Sequence, residues 1–141
     1  MKNIVSKFHK VGIDTNIFTY YLDRNSPFYA KTEELFTQIA RNNLLIITSV
    51  ITLTELLSFK ASQLQLNKLE QEFLLTPNLE VIDVGLEVAK ESARIRREYG
   101  FRLPDSVQLA TAIDAKAQTF ITNDKRLKLF RRLPVTLLTE I

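Results

Sequence analysis

VGIDTNIFTYYLD (residues 11–23) begins as a short run with strand character, continues with helical spacing, and places an aspartate, Asp14, at the junction. An ionised carboxylate is costly against apolar surface unless a hydrogen bond, a counter-charge or a metal compensates it. Asp14 therefore needs a partner.

Outward from this junction, short apolar runs alternate with longer segments of helical periodicity. KVGID (10–14), NLLIITS (43–49), LEVIDV (79–84), TFIT (119–122) and VTLLT (135–139) predict strands, on their β-branched content. Residues 16–23, 28–42, 50–60, 63–75, 85–99 and 105–117 predict helices. Such alternation predicts an α/β fold, a central, mostly parallel sheet of about five strands covered by helices. Pro77 and Pro134 stand just before strands, where a helix could not continue, and Gly100 is placed to end the helix before it.

The 141 residues suit one domain spanning 1–141, since no Pro/Gly/Ser-rich linker or shift in composition divides them. With 45% hydrophobic and 25% charged residues, the chain reads as soluble and folded rather than disordered. No apolar run approaches the roughly 18 residues of a membrane helix, and MKNIVSKFHK lacks the apolar centre of a signal peptide, so the cytoplasm is expected. The absence of cysteine excludes disulfides, thiolate nucleophiles and cysteine zinc sites. A single histidine, His9, excludes a His-rich metal site within one chain and is expected at the surface.

A net charge of +3 and a pI near 9.2 permit a polyanionic partner. Arg94, Arg96, Arg97, Arg102, Lys125, Arg126, Lys128, Arg131 and Arg132 concentrate this charge in the last third.

In open parallel sheets, ligands bind outside the carboxyl ends of the strands. Asp14 lies at such an end, and so does Asp124, just beyond TFIT. Asp105 follows Pro104 at the start of a helix, and Glu55 occupies the early turns of the helix after NLLIITS, so both are placed to reach the same edge. At about 100° per residue, Glu55 shares a face with Ile51 and Phe59, an apolar stripe, and Asp105 sits at the rim of the Leu109, Ile113 and Ala117 stripe. Asp114 falls half a revolution round and roughly 13 Å along the axis from Asp105, too far to share a metal. Taken singly, each acid has an ordinary reading as helix cap, turn former or dipole partner. Four carboxylates converging on one edge repel one another unless a cation sits among them, and oxygen-only ligands suit Mg²⁺ or Mn²⁺. Paired ions of this kind stabilise the attacking and leaving oxygens of a phosphodiester displacement.

DTN at 14–16, TLTEL at 53–57, LPDSVQLATAI at 103–113 and FITNDKRL at 120–127 occur in an order that resembles the PIN domain family, most closely the VapC-type toxins of bacterial toxin–antitoxin pairs. The resemblance spans nearly the whole chain. It implies a three-layer α/β/α fold and a Mg²⁺- or Mn²⁺-dependent endoribonuclease, usually dimeric and usually restrained by a small antitoxin. The family's acids carry over to Asp14, Glu55, Asp105 and Asp124 as catalytic metal ligands. Asn16 corresponds to its polar residue near the first acid, and Thr122 to its hydroxyl in the fourth motif. Asn123 stands where some relatives place an acid, which leaves the fourth position least fixed. Lys125, Arg126, Arg102 and Arg97 are the candidates to hold RNA phosphates. Two other readings compete: a PIN domain without turnover that binds RNA or protein, and a receiver-like signalling domain with Asp83 as phosphoacceptor.

Overall fold

The computed structural model describes residues 5–141, so the first four residues of the N-terminal reading, MKNI, lie outside the described residues. Five strands, β1 Lys10–Ile13, β2 Leu45–Ser49, β3 Leu79–Ile82, β4 Thr119–Thr122 and β5 Val135–Leu137, form one parallel sheet in the order β3-β2-β1-β4-β5. The helices are α1 Thr15–Tyr21, α2 Tyr29–Arg41, α3 Val50–Leu56, α4 Gln63–Leu74, α5 Leu86–Tyr99 and α6 Leu103–Asp114.

The alternation of side chains along β1 explains the three layers. Val11 and Ile13 join Ile17, Phe18, Leu35, Phe36, Ile39 and Phe73 in a core beneath α1, α2 and α4. Phe120 and Val135 join Val88, Ile95, Leu109 and Ala110 in a second core beneath α5 and α6. Phe18 meets Phe73 edge-on, with centroids 5.1 Å apart, fastening α1 to α4.

Gly12 faces the second core, and a Cβ there would lie 2.9 Å from the Cβ of Ala112 and 3.0 Å from Phe120. Only glycine lets α6 come down on the central strand. Gly12→Ala should therefore cost about 1–3 kcal/mol despite the smaller entropy of alanine, because neither Ala112 nor the strand can move aside cheaply. Urea unfolding measures this, and an unchanged midpoint would show that the helix yields.

All the predicted strands and helices occur, with shifted ends. β2 begins at Leu45 because Asn43 takes a left-handed conformation, φ 54°. β1 ends at Ile13, and Asp14 serves instead as the N-cap of α1. α3 stops at Leu56 rather than near residue 60, since Val50, Ile51, Thr52 and Thr54 are weak helix formers and Ser58 Oγ turns back onto the Thr54 carbonyl. α6 starts at Leu103, where Pro104 fits the first turn, and ends before Lys116, which is left-handed at φ 61°. Gly100 ends α5 at φ 72°, as expected.

The chain moves from β1 outward to β3 and then returns to β4 on the other side of β1. This reversal opens a crevice at the carboxyl ends of β1 and its neighbours. Asp14 is the residue that follows β1, and Thr122 is the last residue of β4. β3 is an edge strand and Asp83 beyond it is exposed, so the receiver-like reading, which wants its acceptor on a central strand, fails. Among the described residues, no helix is long and apolar enough to cross a membrane.

Candidate active site

Asp14 enters the crevice with its backbone already committed to two elements. Its N–H donates to the Ile121 carbonyl at 2.9 Å, which ties it to β4, while its side chain caps α1. Each carboxylate oxygen accepts one hydrogen bond, Oδ1 from the Thr15 N–H at 2.8 Å and Oδ2 from Thr122 Oγ1 at 2.7 Å. The residue is only 5% exposed, and among the described residues no cationic side chain pairs with it. Burial pushes its carboxyl from 3.8 up to about 6; the charges of Asp105 and Glu55 push the same way, and the bonds from Thr122 and Thr15 pull back.

Asp105 lies in the first turn of α6 and is buried, with side-chain contacts to two guanidinium groups. Arg102 Nε donates to its Oδ2 at 3.1 Å, and Arg126 Nη2 stands 3.6 Å from the same oxygen. Asp124 is gripped by Arg126 through two parallel bonds, Nε to Oδ1 at 3.0 Å and Nη2 to Oδ2 at 2.5 Å, which hold its carboxyl below the ordinary value. Glu55 is exposed and accepts a 2.7 Å bond from Thr15 Oγ1.

The four predicted acids thus line one cavity of about 300 Å³, together with Arg102, Asn16 and Thr19. Among the described residues, no three acids are close enough to form a ready metal cage. The reason is visible in the ion pairs: Arg102 and Arg126 occupy Asp105 and Asp124, two guanidinium charges standing where a cation would be stabilised. The donor chemistry nevertheless fits a hard divalent ion. Every acid offers oxygen, and Asp14, as buried as Asp105, retains a desolvated carboxylate without a counter-charge.

Some expectations about individual residues change. The stripe of Ile51, Glu55 and Phe59 is not a buried face, because α3 ends at Leu56 and Phe59 lies beyond it, 55% exposed; the buried side of α3 is Thr52 and Leu56. Asn16 Nδ2 donates at 3.3 Å to Thr122 Oγ1, the hydroxyl that in turn donates to Asp14. Asn123 Nδ2 donates to the Tyr20 hydroxyl at 3.1 Å. Lys125 and Arg97 are exposed and do not line the cavity. Much of the basic charge in the last third is already paired, Arg94 and Arg132 with Glu91 and Lys128 with Glu140. Asp114 lines a separate cavity with Glu87 and Glu91, as its position on α6 requires. His9 is exposed, as expected.

Sequence reasoning missed the polar set beside the acids, formed by buried Thr48, Ser49, Thr52 and Gln108 with half-buried Thr15. Its one legible sign is Gln108, an amide within the otherwise largely apolar VQLATAI.

A parallel sheet that reverses at β1 has its counterpart among known proteins. The PIN domain family profile matches residues 11–134, and the chain belongs to that family. Among solved structures, a chain of the VapBC2 complex of Rickettsia felis, bound to a fragment of its promoter DNA, superposes with a TM-score of 0.71 at 25% identity, covering 91% of this chain and 98% of that one. A DNA-bound VapBC chain from Salmonella typhimurium gives 0.70 at 18% identity, covering 92% and 98%. VapC20 of Mycobacterium tuberculosis, described as a sarcin-ricin loop cleaving toxin, gives 0.64 at 13% identity, covering 78% and 86%. No curated protein sequence matches the chain.

Proposed function

We propose that this chain is a Mg²⁺- or Mn²⁺-dependent endoribonuclease that hydrolyses RNA phosphodiester bonds, acting in the cytoplasm as the toxin of a type II toxin–antitoxin pair. The observation that carries this reading is the convergence of Asp14, Glu55, Asp105 and Asp124 on one cavity at the reversal of the sheet. Membership of the PIN domain family supports it, as does the likeness to VapBC proteins.

Asp14 and Asp105, with Glu55 and Asp124 at the rim, would hold the metal. Such an ion, when bound, supplies an activated water and neutralises charge developing on the phosphate. The chain's own part is positioning. Thr122 and Thr15 fix the carboxylates of Asp14 and Glu55. Arg102 and Arg126, both more than half exposed, would be free to hold the RNA phosphate once the acids were neutralised by a bound divalent ion. Lys125 and Arg97 extend the cationic surface, and a homodimer would set two such surfaces side by side.

The antitoxin has a place to act. A groove of about 580 Å³ lined by Leu56, Phe59 and Leu69 adjoins the acids, with Glu55 and Thr19 common to both. An apolar helix seated there brings a basic side chain to Glu55.

Purified protein incubated with RNA and Mg²⁺ should cleave it, and excess EDTA should stop the cleavage. Induction without an antitoxin should arrest growth. Cleavage that survives EDTA removes the metal mechanism, while binding of RNA without any cleavage leaves only a binding module.

A further inference from the structure

Gln108 lies on the buried side of α6 at 2% exposure, where an aliphatic side chain of the same volume would carry no desolvation cost. Its amide orientation is fixed by an unambiguous donor. The Ser49 N–H, 3.3 Å away, can only face an acceptor, so Oε1 points to Ser49, which also donates its hydroxyl at 2.9 Å. Nε2 is thereby turned toward the hydroxyls of Thr15, at 3.1 Å, and Thr52.

Each hydroxyl has one hydrogen to give, and an ionised carboxylate can only accept. Thr15 Oγ1 spends its hydrogen on Glu55, so the 2.9 Å contact between Thr15 and Thr52 must be donated by Thr52. Thr52 has then none left, so the 2.7 Å contact with Thr48 is donated by Thr48. The hydrogens run one way, Thr48 to Thr52 to Thr15 to Glu55, and Gln108 donates to both inner hydroxyls, filling the lone pairs through which they could otherwise turn round.

We infer that Gln108 is a positioning residue that acts through Thr15 to hold the Glu55 carboxylate at the mouth of the acid cavity. Glu55 is exposed at the end of a short helix, and this chain of hydroxyls is what restrains it. The role of Glu55 as a ligand rests on the nuclease reading above; the hydrogen-bond chain itself does not.

The test uses the full chain and Mn²⁺ alone, titrated calorimetrically, beside cleavage kinetics. Gln108→Leu and Thr15→Val should each weaken Mn²⁺ binding about 10- to 100-fold and lower kcat more than they raise KM. Thr15→Ser, which keeps the hydroxyl, should recover most of the affinity lost in Thr15→Val. In a Glu55→Gln background, Gln108→Leu should cost little more. Wild-type affinity in folded Gln108→Leu, or an equal loss with and without Glu55, overturns the inference. Should Gln108→Leu fail to fold, the contrast between Thr15→Val and Thr15→Ser decides. If the wild-type protein takes no Mn²⁺, the nuclease reading falls, and the chain is read in the metal-free protein by nuclear magnetic resonance. Glu55→Gln should then move the Gln108 side-chain amide signals and Asp124→Asn should not; signals that stay in place for Glu55→Gln overturn it.

Discussion

Asp105→Asn should lower the rate of metal-dependent RNA cleavage at least ~100-fold, because it removes a full ligand charge where a cation and a phosphate would meet, at nearly constant volume. The residue is buried at the start of α6 and points into the same cavity as Asp14. Its loss frees Arg102, while Arg126 keeps its two bonds to Asp124; both side chains are largely solvated, at 63% and 59% exposure, so the fold should not suffer greatly. Asp114→Asn, at the other end of the helix and facing a different cavity, should leave the rate unchanged. Initial rates on a fluorescent RNA, with circular dichroism to confirm folding, measure both. An Asp105→Asn protein that cleaves within a few-fold of the wild type would mean that the acids gather for another reason.

The same two guanidinium groups define a smaller and opposite effect. Arg126 bridges Asp124 and Asp105, so it competes with any cation for them. Arg126→Ala should raise Mn²⁺ affinity while raising KM for RNA, since one side chain is asked first to neutralise the acids and then to hold the phosphate. Loss of both affinities would place Arg126 in the fold rather than in this exchange.

The acids were readable because local signals fix them to the carboxyl edge of the sheet. DTN follows a strand and opens a helix, Pro104 marks the first turn that carries Asp105, and Asn123-Asp124 follows TFIT directly. The environment of Glu55 was not readable. Helical periodicity continued past Leu56 to Phe59 and suggested an apolar face, whereas β-branched residues and Ser58 end the helix first. Arg102 and Asp105 are neighbours in sequence, as are Arg126 and Asp124, whereas the bridge from Arg126 to Asp105 depends on the turn Lys125–Leu129 meeting the start of α6, a tertiary contact with no trace in residue spacing. The same holds for Gln108, whose partners come from β2, α3 and α1. Its type could be noticed in the sequence, but the direction of its bonds could not.

The stability of the metal-free protein should fall as pH rises from about 4 to about 6, and Asp14→Asn should abolish that fall. The folded carboxyl of Asp14 titrates near 6 and the unfolded one near 3.8, so within this window the native state holds a proton that the unfolded chain has released. Below the window both states are protonated and burial carries no electrostatic cost. Above it both are ionised, and the native state bears the full cost of a desolvated carboxylate beside Asp105 and Glu55. About two pH units at 1.36 kcal/mol each gives roughly 3 kcal/mol. Asp124, Glu91 and Glu140 act in the opposite sense, being held below their ordinary values, but their stabilisation is lost as pH drops through a lower range. They are common to both proteins and cancel in the comparison. In urea unfolding with EDTA, wild type and Asp14→Asn should be closely matched near pH 4, with the variant more stable by up to about 3 kcal/mol near neutrality, less whatever its weaker bonds to Thr15 and Thr122 cost. Saturating Mn²⁺ should restore the wild type and leave the variant almost unmoved, because the cation removes the same cost that the substitution removes. A wild type that gains stability through this window relative to Asp14→Asn would mean that Asp14 already has the partner its position demands.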